Sequence, residues 1–173
     1  MDTVNDSTLP DSHLDAIRKI CRTEKIIKAL EFESGEISTI GFLNKKICPD
    51  LKHLISIEDI EKWYNKIKLI VKDERWEYRF VQDEISMIPV FKENINIDLI
   101  LIDSQSVKGR VYILTALLKD PTPFIILHDS EQPDYLHILE SFKYSYFPET
   151  ISPHKVGVVS NMLNLKEIFQ IKE

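Results

Sequence analysis

At 173 residues, with 43% hydrophobic and 29% charged side chains, the chain has the size and composition of a single globular domain. Acidic residues outnumber basic ones by 28 to 22, which gives a net charge of -6 at pH 7. A chain of this charge has no overall positive field to attract nucleic-acid phosphates or anionic lipids, so we expect neither nucleic acid nor a membrane as a partner.

The N-terminal residues and the cysteines give no sign of export. Residues 1–10 form a polar, acidic lead, and residues 11–173 are expected to form one domain. The lead lacks the apolar stretch of a signal peptide, and no later run reaches the roughly 18 apolar residues of a membrane span. Cys21 and Cys48 show no metal-binding spacing. We therefore expect a cytoplasmic protein with reduced thiols.

Apolar spacing along the chain predicts helices that alternate with strands. Helices are predicted over 10–22, 38–47, 59–72, 109–119 and 133–142, and strands over 26–32, 53–58, 76–81, 97–103, 123–129, 144–149 and 155–161. The strands over 97–103 and 123–129 are almost wholly apolar, as is typical of central strands covered on both faces. This alternation predicts a doubly wound α/β fold, with a parallel sheet and helices on both faces. Only a loop separates the last two strands, so we expect them to be antiparallel.

Acidic residues mark the ends of four predicted strands. They are Glu31 and Glu33 at the first, Glu58 at the second, Asp103 at the fourth and Asp129 at the fifth. A single acid at such a place is more often a helix cap or a surface residue. In a parallel sheet, however, all of these acids would lie along one edge, where the ligands of doubly wound sheets bind. Their joint placement favours a ligand site.

The turn after the first strand indicates a nucleotide-like ligand. Gly35 would let the backbone approach the ligand closely, and the turn would present N–H groups at the start of the next helix. Glu58 lies 23 residues beyond Gly35, close to the roughly 20 at which a strand-end acid binds ribose hydroxyls. By itself, the turn sequence ESGEIST is a weak motif.

Four longer runs carry a resemblance to a known family. They are LEFESGEISTIGFL, LISIEDIEKWYNKIK, IDLILIDSQSVKGRVYILTALL and FIILHDS. In this order they resemble the landmarks of class I S-adenosylmethionine-dependent methyltransferases, from about Ile27 to Asn161. The resemblance implies a Rossmann-like, mostly parallel seven-stranded sheet with an antiparallel last strand. It also implies S-adenosylmethionine as the cofactor and transfer of its methyl group, for which we expect a small-molecule acceptor.

The same resemblance implies which residues hold the cofactor. They are Glu31, Glu33, Gly35, Glu58, Gln82 and Asp103. Glu58 would bind the ribose, Glu31 and Gly35 would lie near the methionine end, and Gln82 would border the adenine.

Glu33 stands where the family pattern has its first glycine. A carboxylate there would repel the cofactor's own carboxylate unless it turned outward, were protonated or met the cofactor's ammonium group. Two alternatives stay open, the first because of this departure and the second because several doubly wound families share a ribose-binding acid. One is a catalytically inactive binding or scaffold protein on the same fold. The other is a nucleotide-dependent enzyme of another doubly wound family, against which the absence of a GxGxxG sequence argues.

Asp129, His128 and Asp103 are the candidates for removing a proton from the acceptor, with Asp129 first because it follows a strand that ends at the same edge. A histidine in the setting of His128 is more often packed than catalytic. Asp103 and Asp129 could hold Mg²⁺, but two carboxylates are too few to indicate a metal, and none is predicted. A chain of this length has little material to enclose a substrate, so a homodimer or a partner protein could complete the pocket.

Overall fold

The computed structural model describes residues 12–94, 96–148 and 154–169. Its strands are β1 (Lys28–Phe32), β2 (His53–Glu58), β3 (Trp76–Phe80), β4 (Leu99–Ile102), β5 (Phe124–His128), β6 (Tyr144–Tyr146) and β7 (Val156–Ser160). Its helices are α1 (Ser12–Thr23), α2 (Ser38–Leu43), α3 (Glu61–Ile70), α4 (Met87–Lys92), α5 (Val107–Leu117), α6 (Pro133–Leu139) and α7 (Leu165–Phe169). The polar lead at residues 1–10 lies outside the described residues.

The strands form one seven-stranded sheet with the order β3-β2-β1-β4-β5-β7-β6. Strands β1 to β5 are parallel, whereas β7 pairs antiparallel with both β5 and β6. The predicted doubly wound α/β fold with an antiparallel last strand is therefore confirmed. The strand order reverses between β1 and β4, which pair in register from Ala29 and Leu99 to Phe32 and Ile102. Ligands of such sheets bind at this reversal, outside the carboxyl ends of the strands.

Apolar side chains cover both faces of the sheet. Successive residues of a strand point to opposite faces, so neighbours in β1 enter different halves of the core. Ala29 packs in a cluster with Ile17 of α1 and Phe42 of α2. Leu30 packs in a second cluster with Ile113 of α5. This double burial explains why the central strands are apolar along their whole length.

Two helices lie outside the predicted ones. The sequence predicts no helix between the strands over 76–81 and 97–103, whereas α4 forms there with Pro89 in its first turn, where the missing N–H needs no partner. Helix α7 has five residues, too few to show a helical period. It is held by Phe169, whose ring stacks on Tyr146 with the ring centroids 4.6 Å apart. Within the described part of the chain, no helix is both long and apolar enough to cross a membrane.

Candidate functional site

A cavity of about 930 Å³ opens at the carboxyl edge of the sheet, over the reversal between β1 and β4. Its lining includes Glu33, Gly35, Asp103, Arg110, His128 and Asp129. Of the residues predicted from the sequence to hold the cofactor, three therefore line the cavity, and so do all three candidates for the acceptor side. Glu31, Glu58 and Gln82 are not among its lining residues.

The loop after β1 places a carboxyl group in this crevice. Glu33 has a left-handed backbone with φ 61°, which is uncommon for a residue other than glycine. Its Oε2 accepts a hydrogen bond from the backbone N–H of Gln105, 2.7 Å away, and so bridges the loops that follow β1 and β4. Burial raises the pKa of Glu33 to about 8. The hydrogen bond from Gln105 lowers this pKa, whereas the nearby carboxylates raise it further. The side chain is therefore largely neutral at pH 7.

Gly35 is required because Ser38 packs closely against it, and not because its backbone is left-handed. A Cβ at this position would lie 2.6 Å from the Ser38 hydroxyl oxygen. The backbone N–H of Gly35 donates to Thr39 Oγ1 at 3.2 Å. The turn is thus packed tightly against the first residues of α2, and the N–H group of Gly35 already donates a hydrogen bond within the protein.

Glu31 has a structural position below the cavity. It is fully buried, and its carboxyl oxygens accept hydrogen bonds from Ser38 Oγ at 2.5 Å, Thr39 Oγ1 at 2.8 Å and Ser56 Oγ at 2.6 Å. Burial raises the pKa of Glu31 to about 7, although the three hydroxyl donors partly lower it. Glu31 therefore ties β1 to α2 and β2.

Glu58, predicted to bind a ribose, is also engaged within the protein. Its Oε2 accepts from the Ser34 backbone N–H at 3.2 Å and from the Ser34 hydroxyl at 3.0 Å. Its Oε1 accepts from the Ile60 N–H at 3.0 Å. Burial raises the pKa of Glu58 against the lowering effect of these donors. Gln82, the residue assigned to the adenine, is exposed on the connection between β3 and α4.

The acceptor-side candidates form a cluster at the ends of β4 and β5. His128 Nδ1 lies 2.8 Å from Asp103 Oδ1, and Asp129 has a left-handed backbone with φ 54°. The Asp129 carboxylate accepts from Arg110 Nη1 at 3.0 Å and lies 2.7 Å from His154 Nδ1. Burial raises the pKa of Asp129, but the Arg110 hydrogen bond and the neighbouring charges outweigh it and hold that pKa below the ordinary value.

Sequence reasoning missed three residues at this cluster, namely Arg110, His154 and His13. Arg110 projects from α5 and also donates to the backbone oxygen of His128 at 2.9 Å. His13 projects from α1 and packs edge-on against His128, with ring centroids 4.8 Å apart. The one signal for His13 is its spacing, because it shares the buried stripe of α1 with Ile17 and Ile20.

No family model and no curated protein matches the chain. Solved structures do match. Spermidine synthase from Thermotoga maritima is 14% identical with a TM-score of 0.60, and the match covers 91% of this chain and 60% of that one. Human methyltransferase-like protein 13 in complex with S-adenosylhomocysteine is 14% identical with a TM-score of 0.64, covering 92% and 88%. A putative tRNA methyltransferase of Streptococcus pneumoniae in complex with S-adenosylmethionine is 15% identical with a TM-score of 0.57, covering 91% and 77%.

These matches correct the predicted partners. The expectation of a small-molecule substrate and no nucleic acid is wrong, because a protein described as a tRNA methyltransferase shares this fold over 91% of the present chain. Net charge describes the average field of a molecule, whereas an acceptor is chosen by local surfaces and loops. The chain spans about 60% of the length of the spermidine synthases that it matches. At these identities the matches show the fold alone. It is the fold of class I S-adenosylmethionine-dependent methyltransferases.

Proposed function

We propose that this protein binds S-adenosylmethionine in the cavity at the strand reversal and transfers its methyl group to an acceptor there. The observation that supports the proposal best is the joint placement of Glu33, Gly35, Asp103, His128 and Asp129 around one cavity. This cavity lies where doubly wound sheets bind nucleotide-like ligands. Two similar structures also hold S-adenosylmethionine or S-adenosylhomocysteine.

On the cofactor side, the sequence suggested that a carboxylate at Glu33 would repel the carboxylate of the cofactor. The neutral state of Glu33 removes this repulsion. Since the pKa of Glu33 is about 8, its carboxyl is mostly protonated at neutral pH and does not repel the cofactor's carboxylate. A protonated carboxyl can also donate a hydrogen bond. The loop also keeps a tight turn at Gly35, and this glycine lines the cavity.

On the acceptor side, the reaction requires alignment more than activation of the donor. The sulfonium methyl group is already electrophilic, so the protein must hold the acceptor atom in line with it. Asp103, His128 and Asp129 line the same cavity and carry the polar groups that can orient the acceptor.

A second function is favoured by the hydrogen bonds of the loop. Glu58 is occupied by Ser34 and Ile60, and Glu33 fills part of the crevice by reaching Gln105. A protein that has closed its cofactor site in this way would be a catalytically inactive binding or scaffold protein on a methyltransferase fold.

Calorimetric titration with S-adenosylmethionine and S-adenosylhomocysteine separates the two functions. The proposed methyltransferase binds both ligands at micromolar concentration. The matched variants are Glu33→Gly, which opens the crevice, and Glu36→Gly, which alters an exposed residue of the same loop. A silent wild type with binding restored only by Glu33→Gly would support the scaffold protein. No binding by any of the three proteins at millimolar ligand would refute a cofactor site at this edge.

A further inference from the structure

A buried histidine joins the acceptor side of the cavity from a helix that the proposed methyl transfer does not use. His13 of α1 is only 4% exposed. One donor atom from each of His13, Asp103 and His128 lies within 4.8 Å of the other two. Two imidazoles and one carboxylate therefore converge from α1, the end of β5 and the loop after β4.

The three side chains differ in their access to the cavity. His128 and Asp103 line it, and their side chains retain 15% and 26% exposure. His13 lies behind them, with its ring nearly perpendicular to that of His128 at an interplanar angle of 82°. The cluster thus has a closed, protein-covered side and an open side that faces the place of the acceptor.

The donor atoms match the requirements of a transition-metal ion. Imidazole nitrogen suits Zn²⁺, Fe²⁺, Co²⁺ and Ni²⁺, whereas Mg²⁺ and Ca²⁺ prefer sites made of oxygen atoms alone. Bonds of about 2.0–2.2 Å to a common ion require ligand atoms roughly 3–4 Å apart. The distance of 2.8 Å between His128 Nδ1 and Asp103 Oδ1 is close to this range. Because the His13 donor atom lies within 4.8 Å of the other two, it must move closer by at most about 1–2 Å to reach this spacing.

The charges around the cluster favour the binding of a cation. Asp103 and Asp129 are both within reach of Arg110, whose guanidinium nitrogens lie 3.5 Å and 3.0 Å from their oxygens. Two carboxylates thus face one guanidinium, so the cluster keeps a net negative charge when its histidines are neutral. An incoming divalent ion is attracted, although it must share Asp103 with Arg110.

We propose that His13, His128 and Asp103 bind a divalent transition-metal ion, with Zn²⁺ as the first candidate. Three protein ligands leave a fourth position open, and here that position faces the cavity. An acceptor oxygen or nitrogen bound there is oriented by the ion and loses its proton more readily. Binding of the ion is independent of the cofactor, whereas its use in activating an acceptor rests on the proposed methyl transfer.

A neighbouring cluster provides the main competitor. Asp129, Glu131 and His154 also have donor atoms within 4.8 Å of one another. This cluster contains one histidine instead of two, and the His154 side chain is 60% exposed. Glu131 accepts a hydrogen bond from the Lys155 N–H at 3.0 Å. The cluster is therefore a more open and less nitrogen-rich site than that of His13.

Titration of chelator-treated protein with Co²⁺, followed by its visible absorption bands and by competition with Zn²⁺, tests the proposal. We expect saturable binding that His13→Ala weakens by more than about 10-fold, the loss that even outer-shell partners of a metal produce. His154→Ala tests the competing cluster and should retain the wild-type spectrum. His137→Ala removes an exposed histidine of α6 and serves as the matched control. Circular dichroism of each variant checks that it is folded.

A measurement on the wild-type chain guards against a His13 variant that fails to fold. Long-range ¹H–¹⁵N NMR with Zn²⁺ should shift ring nitrogens of His13 and His128 and leave those of His137 and His154 in place. Shifts at His154 alone, or a Co²⁺ spectrum lost in His154→Ala and kept in His13→Ala, would overturn the assignment. Absence of Co²⁺ and Zn²⁺ binding at millimolar metal would also overturn it. Each of these results leaves cofactor binding untouched, so the two proposals can fail separately.

Discussion

Glu33 concentrates the unusual chemistry of the site in one residue. Its backbone is left-handed at φ 61°, a conformation that costs a residue other than glycine on the order of 1 kcal/mol. Its carboxyl is buried at the edge of the sheet and hydrogen-bonded across the strand reversal to Gln105. Local strain and a buried acid in a cavity at a strand reversal together favour a role in ligand binding over a role in packing.

The ionisation of Glu33 predicts a pH-dependent affinity for S-adenosylhomocysteine. Because its pKa is about 8, the side chain is neutral at pH 7 and mostly ionised at pH 9, where it repels the ligand's carboxylate. We expect calorimetry to show affinity falling up to about 10-fold over this range, since one pKa unit corresponds to ~1.4 kcal/mol. The ligand's own amino group titrates nearby, so the isosteric Glu33→Gln variant is the control. An equal decline in Glu33→Gln would show that Glu33 is not responsible.

At the scale of elements, Asp98 fixes the start of the pairing between β1 and β4. Asp98 Oδ2 accepts from the backbone N–H groups of Ile27 at 2.8 Å and Lys28 at 2.9 Å. Asp98→Ala leaves both donors without this acceptor, and we expect the free energy of unfolding to fall by about 2 kcal/mol. Urea unfolding measures the change. Asp50→Ala, at an exposed position, should have little effect, and equal effects of the two would rule out this role for Asp98.

The elements also show which features a sequence can reveal. The apolar runs of β4 and β5 predicted central strands, because burial on both faces leaves no place for polar side chains. The parallel sheet in turn placed Asp103 and Asp129 at one edge. The engagement of Glu58 by Ser34, 24 residues away in the chain, has no local signature. His13 reaches the site from another helix, so its role depends on tertiary packing that periodicity does not encode.

At the scale of the whole molecule, buried acids make folding sensitive to pH. Glu31 and Glu33 are both buried, and desolvation raises their pKa values to about 7 and about 8. In the unfolded chain these groups release their protons near the ordinary value of 4.5. At pH values between the unfolded and the folded pKa of each group, the folded state binds more protons than the unfolded state. The free energy of unfolding therefore falls as pH rises, beginning near pH 5 and levelling off above pH 8.

Thermal unfolding at intervals from pH 5 to pH 9 measures this dependence. We expect the wild type to lose at least about 3 kcal/mol over the window, because each group that is protonated only in the folded state lowers the free energy of unfolding by ~1.4 kcal/mol for every pH unit. Glu31→Gln combined with Glu33→Gln removes both titrations, so the double variant should have a flatter profile and exceed the wild type most at high pH. Glu140→Gln changes an exposed acid and should keep the wild-type slope. A double variant with an unchanged slope would mean that these two carboxyl groups are ionised in the folded protein, and the neutral Glu33 required by the proposed cofactor site would fail with it.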